Sequence, residues 1–328
     1  MAQGKIEGVF LRKQTVMRRV TGACLPCVFG GVYFFGWRVL AVAIVSCVAG
    51  LLTEYAFCRK RGEPATESVF VTSLIYSLIL PPGVPWHVVV IGIVFAVVFA
   101  KEVFGGFGRN IFNPAMVGRC FVYICFPVAM TGRWPVSAPV SGIGALGQWS
   151  TAAVADAITS ATPLAIMKTE GVVPELSSLL FGGISGTAGV TSAALILIGG
   201  MYLYYTKTAS RLIILSTVIS YAVINQFFTW MGNDTFHGAL PALLGGGFLF
   251  GAFFMATDPI SAPKTKQGKL IYGVMIAVFT AVIRNYSIFN GGLMFSILLA
   301  NMFGPITDYA VGAWGTRKKI EAAGEGSS

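Results

Sequence analysis

Val39-Leu40-Ala41-Val42-Ala43-Ile44-Val45-Ser46-Cys47-Val48-Ala49-Gly50-Leu51-Leu52-Thr53-Glu54-Tyr55-Ala56-Phe57 holds one charge, Glu54, and runs into Arg59-Lys60-Arg61. A helix needs about 20 mainly apolar residues to cross the hydrocarbon core of a bilayer, and this stretch meets that length. The basic cluster behind it is what the cytoplasmic end of a span carries. The rest of the chain repeats the pattern. Of 328 residues, 55% are hydrophobic and 11% charged, whereas a soluble domain carries about 25% charged residues. A chain so poor in charge cannot cover a water-facing surface, so the composition excludes an ordinary soluble enzyme.

Comparable runs predict about ten membrane-spanning helices, near residues 20–36, 39–57, 68–81, 86–104, 111–129, 189–206, 211–230, 239–256, 270–287 and 292–313. The run at 68–81 is short and ends at Pro81-Pro82. With the N-terminus placed inside, eighteen of the 23 lysines and arginines fall in inside segments. Only Arg38, Arg133, Lys168 and Arg284 fall outside, and Arg119 lies within a span. Adding or removing one span scrambles that alternation. The predicted fold is therefore an all-α integral membrane bundle with both termini cytoplasmic. It divides into an inside segment 1–19, spans over 20–129, an outside segment 130–188, spans over 189–313 and an inside tail 314–328. The echoes Val71-Thr72-Ser73 with Val190-Thr191-Ser192, and Phe112-Asn113 with Phe289-Asn290, suit two five-helix halves.

The net charge of +10 follows from this topology. The basic residues sit in short clusters between apolar runs, not on an aromatic-and-basic face, so a nucleic-acid partner is not expected. Cys24 and Cys27 form a CxxC inside the first apolar run, where small packing residues are the ordinary reading. The other cysteines, Cys47, Cys58, Cys120 and Cys125, and the separated His87 and His237, show no metal-ligand spacing. No signal peptide with a small-residue cleavage site is apparent. No catalytic residue and no metal site are expected.

Candidate sites lie at a few polar positions. The outside segment contains Asp156-Ala157-Ile158-Thr159-Ser160-Ala161-Thr162-Pro163. Proline disfavours the helical region for the residue before it, so Thr162 presents its hydroxyl from extended backbone. Ser160 and Ala161 leave room for a bulky group, and Asp156 offers a carboxylate to an incoming phosphate donor or a metal. An ordinary Ser/Thr/Ala-rich loop has the same composition. Glu54 and Asp308 lie within spans, where a charge costs at least about 2.5–3.5 kcal/mol. Each reads as a structural ion pair, Glu54 within a turn of Arg59, or as part of a cation or proton path. Asp258 opens the turn Asp258-Pro259, and Glu102 stands beside Lys101 at an interfacial end. Gly105-Gly106-Phe107-Gly108 lacks a preceding strand, so it reads as a tight turn or a broken helix rather than a dinucleotide loop. Asn110 and Asn113 follow it. They suit either a helix cap or hydrogen bonds to a heterocycle edge.

Four stretches carry a resemblance. They are Asp156–Thr162, Lys101–Ala115, Phe254-Met255-Ala256-Thr257-Asp258-Pro259, and Ser296–Asn301 with Pro305-Ile306-Thr307-Asp308-Tyr309. Together they resemble, over nearly the whole chain, the membrane flavin subunits of two sister complexes: the D subunit of Rnf and the B subunit of Nqr. The resemblance implies an electron-carrying subunit of an ion-translocating oxidoreductase in the cell inner membrane, with no activity alone. It implies FMN attached through a phosphoester to Thr162 by a flavin transferase. It also implies a noncovalent riboflavin near Asn110 and Asn113, and a sodium or proton path through Glu54, Asp308 and Asp258. Partner subunits, one of them an outside FMN protein, and quinone complete the implied set. The Val32–Trp37 run and Lys168 after Ala161–Leu164 favour the Rnf form, while Lys101–Gly106 and Asp308–Val311 favour the Nqr form. The balance leans to Rnf. A secondary transporter and a structural scaffold are the rival classes. The first predicts a colourless protein, and the second predicts tolerance of Asn or Gln at Glu54 and Asp308.

Overall fold

A computed structural model describes residues 11–132, 134–140, 142–151, 163–287, 289 and 291–325. A two-residue parallel pairing, β1 (Leu11–Arg12) with β2 (Ala65–Thr66), ties the start of the described chain to the segment before the third span. The first half continues with α1 (Thr15–Phe35), α2 (Arg38–Arg61), α3 (Ser68–Leu78), α4 (Trp86–Val97), α5 (Pro114–Cys125) and α6 (Pro127–Thr131). Two short helices, α7 (Pro163–Glu170) and α8 (Leu176–Phe181), stand in the predicted outside segment. The second half holds α9 (Ala193–Tyr205), α10 (Arg211–Trp230), α11 (Ala239–Leu244), α12 (Phe248–Phe250), α13 (Lys266–Tyr286) and α14 (Gly292–Glu325).

Helical structure stands at each of the predicted runs, but the lengths differ sharply. Arg38–Arg61, Arg211–Trp230, Lys266–Tyr286 and Gly292–Trp314 are long and apolar enough to cross a membrane. The 24 residues of α2 rise about 36 Å, more than the roughly 30 Å hydrocarbon core. The 11 residues of α3 rise about 16 Å, half that thickness. Two of the runs end in widened π turns, Val98–Glu102 after α4 and Gly251–Met255 after α12. After the first, Gly105, Gly106 and Gly108 all take positive φ, a conformation glycine reaches without a Cβ clash, and the helix stops there.

Packing repeats between the halves. In the first, α2 packs on α3 and α4, and α4 on α5. In the second, α10 packs on α11 and α13, and α13 on α14. The halves join through α1 against α9 and α5 against α14. The outward faces are apolar. On α2, Ile44, Val48 and Leu52 are exposed one turn apart, while Val39, Val42, Ala43, Ser46, Gly50 and Glu54 face inward. On α10, Leu215, Ile219, Val223 and Phe227 form a like stripe. A helix with its polar groups inside and its leucines outside is inverted relative to a water-soluble bundle. The surrounding solvent is therefore lipid, and the protein is a multi-pass membrane protein.

Candidate functional site

Two cavities lie on the seam between the halves, one toward each of the sides that the basic residues predict. The inner one begins at the start of α5. Asn113 caps that helix, its side-chain oxygen accepting from the Ala115 amide at 3.1 Å, with Pro114 at the first helical position. The same side chain donates to the Met255 carbonyl at 3.2 Å, and its backbone amide donates to Asn301 Oδ1 at 3.2 Å. Asn301 is fully buried on α14 and donates to Tyr272 Oη of α13 at 2.6 Å. Three stretches quoted for the resemblance thus meet at one buried amide network. Asn110 donates to the Phe112 carbonyl at 3.1 Å, which shapes the turn before α5.

Beside this network sits a buried ion pair. Lys101 Nζ lies 2.6 Å from Glu54 Oε2, and both side chains are buried. The ammonium also donates to Thr66 Oγ1 at 3.0 Å and Ser68 Oγ at 2.7 Å. The second oxygen of Glu54 accepts from the Thr66 amide at 2.8 Å and its hydroxyl at 2.6 Å. Arg61 pairs with Glu102 next door. Glu54 therefore finds its partner on the far end of another helix, not at Arg59. Sequence reasoning misses Lys101 and Ser68 as site residues, and the signal available for Lys101 is a lysine at a span end next to glycines. Glu54, Cys58 and Glu102 bring a carboxylate oxygen, a sulfur and a second carboxylate oxygen within 4.8 Å of one another. Lys101 and Arg61 already balance both carboxylates.

The other two acids of the expected ion path serve turns. Asp258 accepts from Ser261 Oγ at 2.9 Å and from the Ile260 amide at 3.3 Å. Burial raises its carboxyl above the usual range, and those hydrogen bonds pull the other way. Asp308 accepts from the amides of Lys264 at 2.7 Å and Thr265 at 3.0 Å and from the Thr265 hydroxyl at 2.6 Å. It thereby anchors the entry to α13. Lys101, Asn110, Asn113 and Asp258 all line the inner cavity, whereas Glu54 stands behind Lys101 and Asp308 lies apart. That cavity encloses only about 60 Å³.

The outer cavity is larger, about 290 Å³. Met116 and Met255 line it, three residues from Asn113 and one from Phe254 of the inner cavity. Pro163, Leu164 and Ala165, the first residues of α7, line it as well. Thr162, with Asp156, Ser160 and Ala161, lies outside the described residues. Arg119 of α5 and Arg284 of α13 reach the cavity from opposite halves. Arg284 donates to the Gly246 carbonyl at 2.8 Å and lies over the rings of Tyr221 and Phe248, 5.7 Å from each centroid. Gly246 has φ +58, and a Cβ built there would overlap Leu164 Cδ1. The close seat of α7 requires glycine at that point. Lys168, at the far end of α7, donates to the carbonyls of Arg284 and Ser287 at the C-terminal end of α13. A cation suits that end of a helix, and partial burial holds this ammonium below its usual range.

The two arginines are likewise hidden from the sequence as site residues. Arg119 stands out only as the one base inside a span. Arg284 falls among the outside charges, yet it is 5% exposed. An arginine within an apolar run is the signal that the sequence does carry.

The chain is 33% identical over 323 residues to the D subunit of the ion-translocating oxidoreductase complex of Aliivibrio salmonicida, covering 90% of this chain and 92% of the relative. It is 33% identical over 327 residues to the same-named protein of Shewanella piezotolerans, covering 92% of this chain and 93% of the relative. It is 34% identical over 313 residues to the B subunit of the Na(+)-translocating NADH-quinone reductase of Pseudoalteromonas atlantica, covering 93% of this chain and 73% of the relative. Residues 11–313 match the NQR2, RnfD, RnfE family as a whole, and the protein belongs to that family.

Proposed function

We propose that this chain is the inner-membrane electron-carrying subunit of an ion-translocating oxidoreductase complex, and that it bears FMN on Thr162 as a phosphoester. The observation that carries the reading is the outer cavity. Pro163, Leu164 and Ala165, directly after the threonine of the resemblance, line it, and its volume of about 290 Å³ leaves room for a ring system. Its residues fit such a group: apolar side chains from both halves offer surface to a ring face, and hydroxyl residues and two arginines supply donors. A flavin there supplies an electron carrier able to accept and release electrons singly or in pairs. The protein's own part is positional. Leu164 against Gly246 and Lys168 on the end of α13 hold α7 against the cavity.

The inner cavity fits a second flavin less well. Asn113 already has partners for its oxygen and for one amide proton, and about 60 Å³ does not hold a three-ring heterocycle with these side chains where they stand. Riboflavin near Asn110 and Asn113 would require α5 and the Phe254–Ile260 turn to part. The ion path is proposed to use Glu54, with Asp258 and Asp308 on the same side. Passage of sodium or a proton through Glu54 requires Lys101 to give up its place.

Of the two complexes, the Rnf type is favoured. The Val32–Trp37 run and Lys168 after Ala161–Leu164 carry that preference. Other complex subunits, a flavin transferase and an outside FMN-bearing protein are the partners this reading requires. A mass spectrum of the intact polypeptide tests it. One covalent FMN in the native chain and none in Thr162→Ala is the expected result; the mass of the bare polypeptide in the native chain overturns it. Reduction of the purified complex by ferredoxin rather than directly by NADH separates the two complex types.

A further inference from the structure

Among the described residues, Arg119 and Arg284 are cations without an ion-pair partner. Guanidinium stays charged in any protein environment, and arginine within a span is among the most unfavourable residues to insert. The Nε of each is buried without a hydrogen-bond partner among those residues. No described acidic residue lines the cavity they share. The partners of Arg284 (the carbonyls of Gly246, Ala242 and Gly245, the Tyr221 hydroxyl and two aromatic faces) are all uncharged, so they orient its guanidinium without neutralising it. Two like charges on one low-dielectric cavity repel each other, and an anion between them reverses that term.

We propose that Arg119 and Arg284 form an anion-binding pair whose ligand is the negative charge that a flavin ring keeps on reduction. This rests on the reading of FMN at Thr162. An oxidised isoalloxazine that takes two electrons and one proton, the proton going to N5, is left with one negative charge over N1 and the C2 carbonyl. The electrons come from the preceding carrier of the complex, or from dithionite in the test. Charge placed near that edge is a principal means by which a protein sets the potential of a bound flavin. Arg119 comes from one half and Arg284 from the other. Reduction therefore draws the two halves toward a common charge at the seam, a turn away from Asn113 and the inner cavity. The FMN phosphoryl group is the other anion available, and it predicts a different outcome.

The test uses the intact complex, purified with the native chain, Arg119→Met and Arg119→Lys, and with Thr162→Ala to identify the spectral component of this flavin. Covalent FMN is counted by mass, and the flavin is titrated spectroscopically against a fixed electrode potential. Full FMN occupancy is expected in the native chain and in both Arg119 variants, and none in Thr162→Ala. In Arg119→Met the reduced-to-oxidised ratio falls at least tenfold, about 30 mV for two electrons, and Arg119→Lys restores most of it. The native protein takes one proton per two electrons from about pH 5.5 to 7, whereas Arg119→Met takes two at the acid end. That native proton count stands even where a variant fails to assemble. Full occupancy with an unchanged ratio overturns the proposal, and so does a native uptake of two protons across the range. Loss of FMN in Arg119→Met assigns the pair to the phosphoryl group and overturns it as well. A native chain without covalent FMN defeats the flavin reading itself.

Discussion

The inner and outer cavities lie one helical turn apart on the same seam, yet they are built on opposite principles. At the inner one, Glu54 meets Lys101, Arg61 meets Glu102, and Asn113 and Asn301 pass hydrogen bonds from helix to helix until little is unpaired. At the outer one, two arginines stand among apolar side chains and the hydroxyl residues Thr131, Ser185, Thr187 and Thr191, and their Nε atoms have no partner among the described residues. A buried polar group without a partner costs about 1–3 kcal/mol; a ligand in the outer cavity would offset that cost for two arginines, whereas at the inner site Glu102 Oε1 alone of the paired carboxylates stands without a partner among the described residues. Volume follows the same division, about 290 Å³ against about 60 Å³. Being lined with conspicuous polar residues does not make a cavity a ligand site; unsatisfied donors and room do.

That contrast can be broken, and the largest effect should come from the outer side. Thr162→Ala should abolish in-gel flavin fluorescence that survives denaturation, while any flavin extracted by mild denaturation is unchanged. Loss of both would mean that one pool serves both cavities.

Next is Lys101→Met. It strips the cation from a buried carboxylate, which costs about 3–5 kcal/mol. Thermal unfolding in detergent should fall by several degrees, and Lys101→Met with Glu54→Gln should recover much of the loss. A single variant as stable as the native protein would show that the inner site is not self-satisfied.

Asn113→Ala sharpens the description of the wall between the cavities. It strands the Met255 carbonyl and the Ala115 amide, for about 1–3 kcal/mol each at most, and faster amide exchange at the start of α5 should report it. Gly246→Ala is expected to cost about 1–2 kcal/mol from its left-handed backbone and to push Leu164 away. Its readout is greater protease access to the segment before α7.

The smallest effect is acidic. Glu67 accepts from Arg18 at 2.7 Å and from the Gln14 amide at 2.6 Å, and the hydrogen bond from Arg18 holds its carboxyl below the usual range. Its contribution is complete above the ordinary carboxylate range and is lost as pH falls through the depressed value. Proteolysis ahead of α1 should therefore rise only in strong acid, with both cavities unaffected.

Much of the fold is legible in one dimension because membrane insertion is read locally. Run length and the glycine break after Glu102 need no knowledge of distant residues, and each has its counterpart in the helices found. Length is the weaker guide where helices are broken. The run at 68–81 contains an 11-residue helix, and the run at 239–256 is split at Gly245–Gly247 into α11 and α12 with a π turn. Hydropathy sums do not register such breaks, because glycine and the apolar residues around it score alike.

The sequence by itself determined that the chain lives in a bilayer, where its charged clusters fall, and which motifs mark its family. Tertiary structure alone decided the pairings. Lys101 reaches Glu54 across 47 positions, Asn113 reaches Asn301 across 188, and Arg119 and Arg284 share a cavity only because α5 and α13 belong to halves that pack together. The physical reason is that insertion free energy adds up residue by residue along one helix. The partner of a buried charge is set by which helices exclude lipid from each other, and no periodicity within either helix records that.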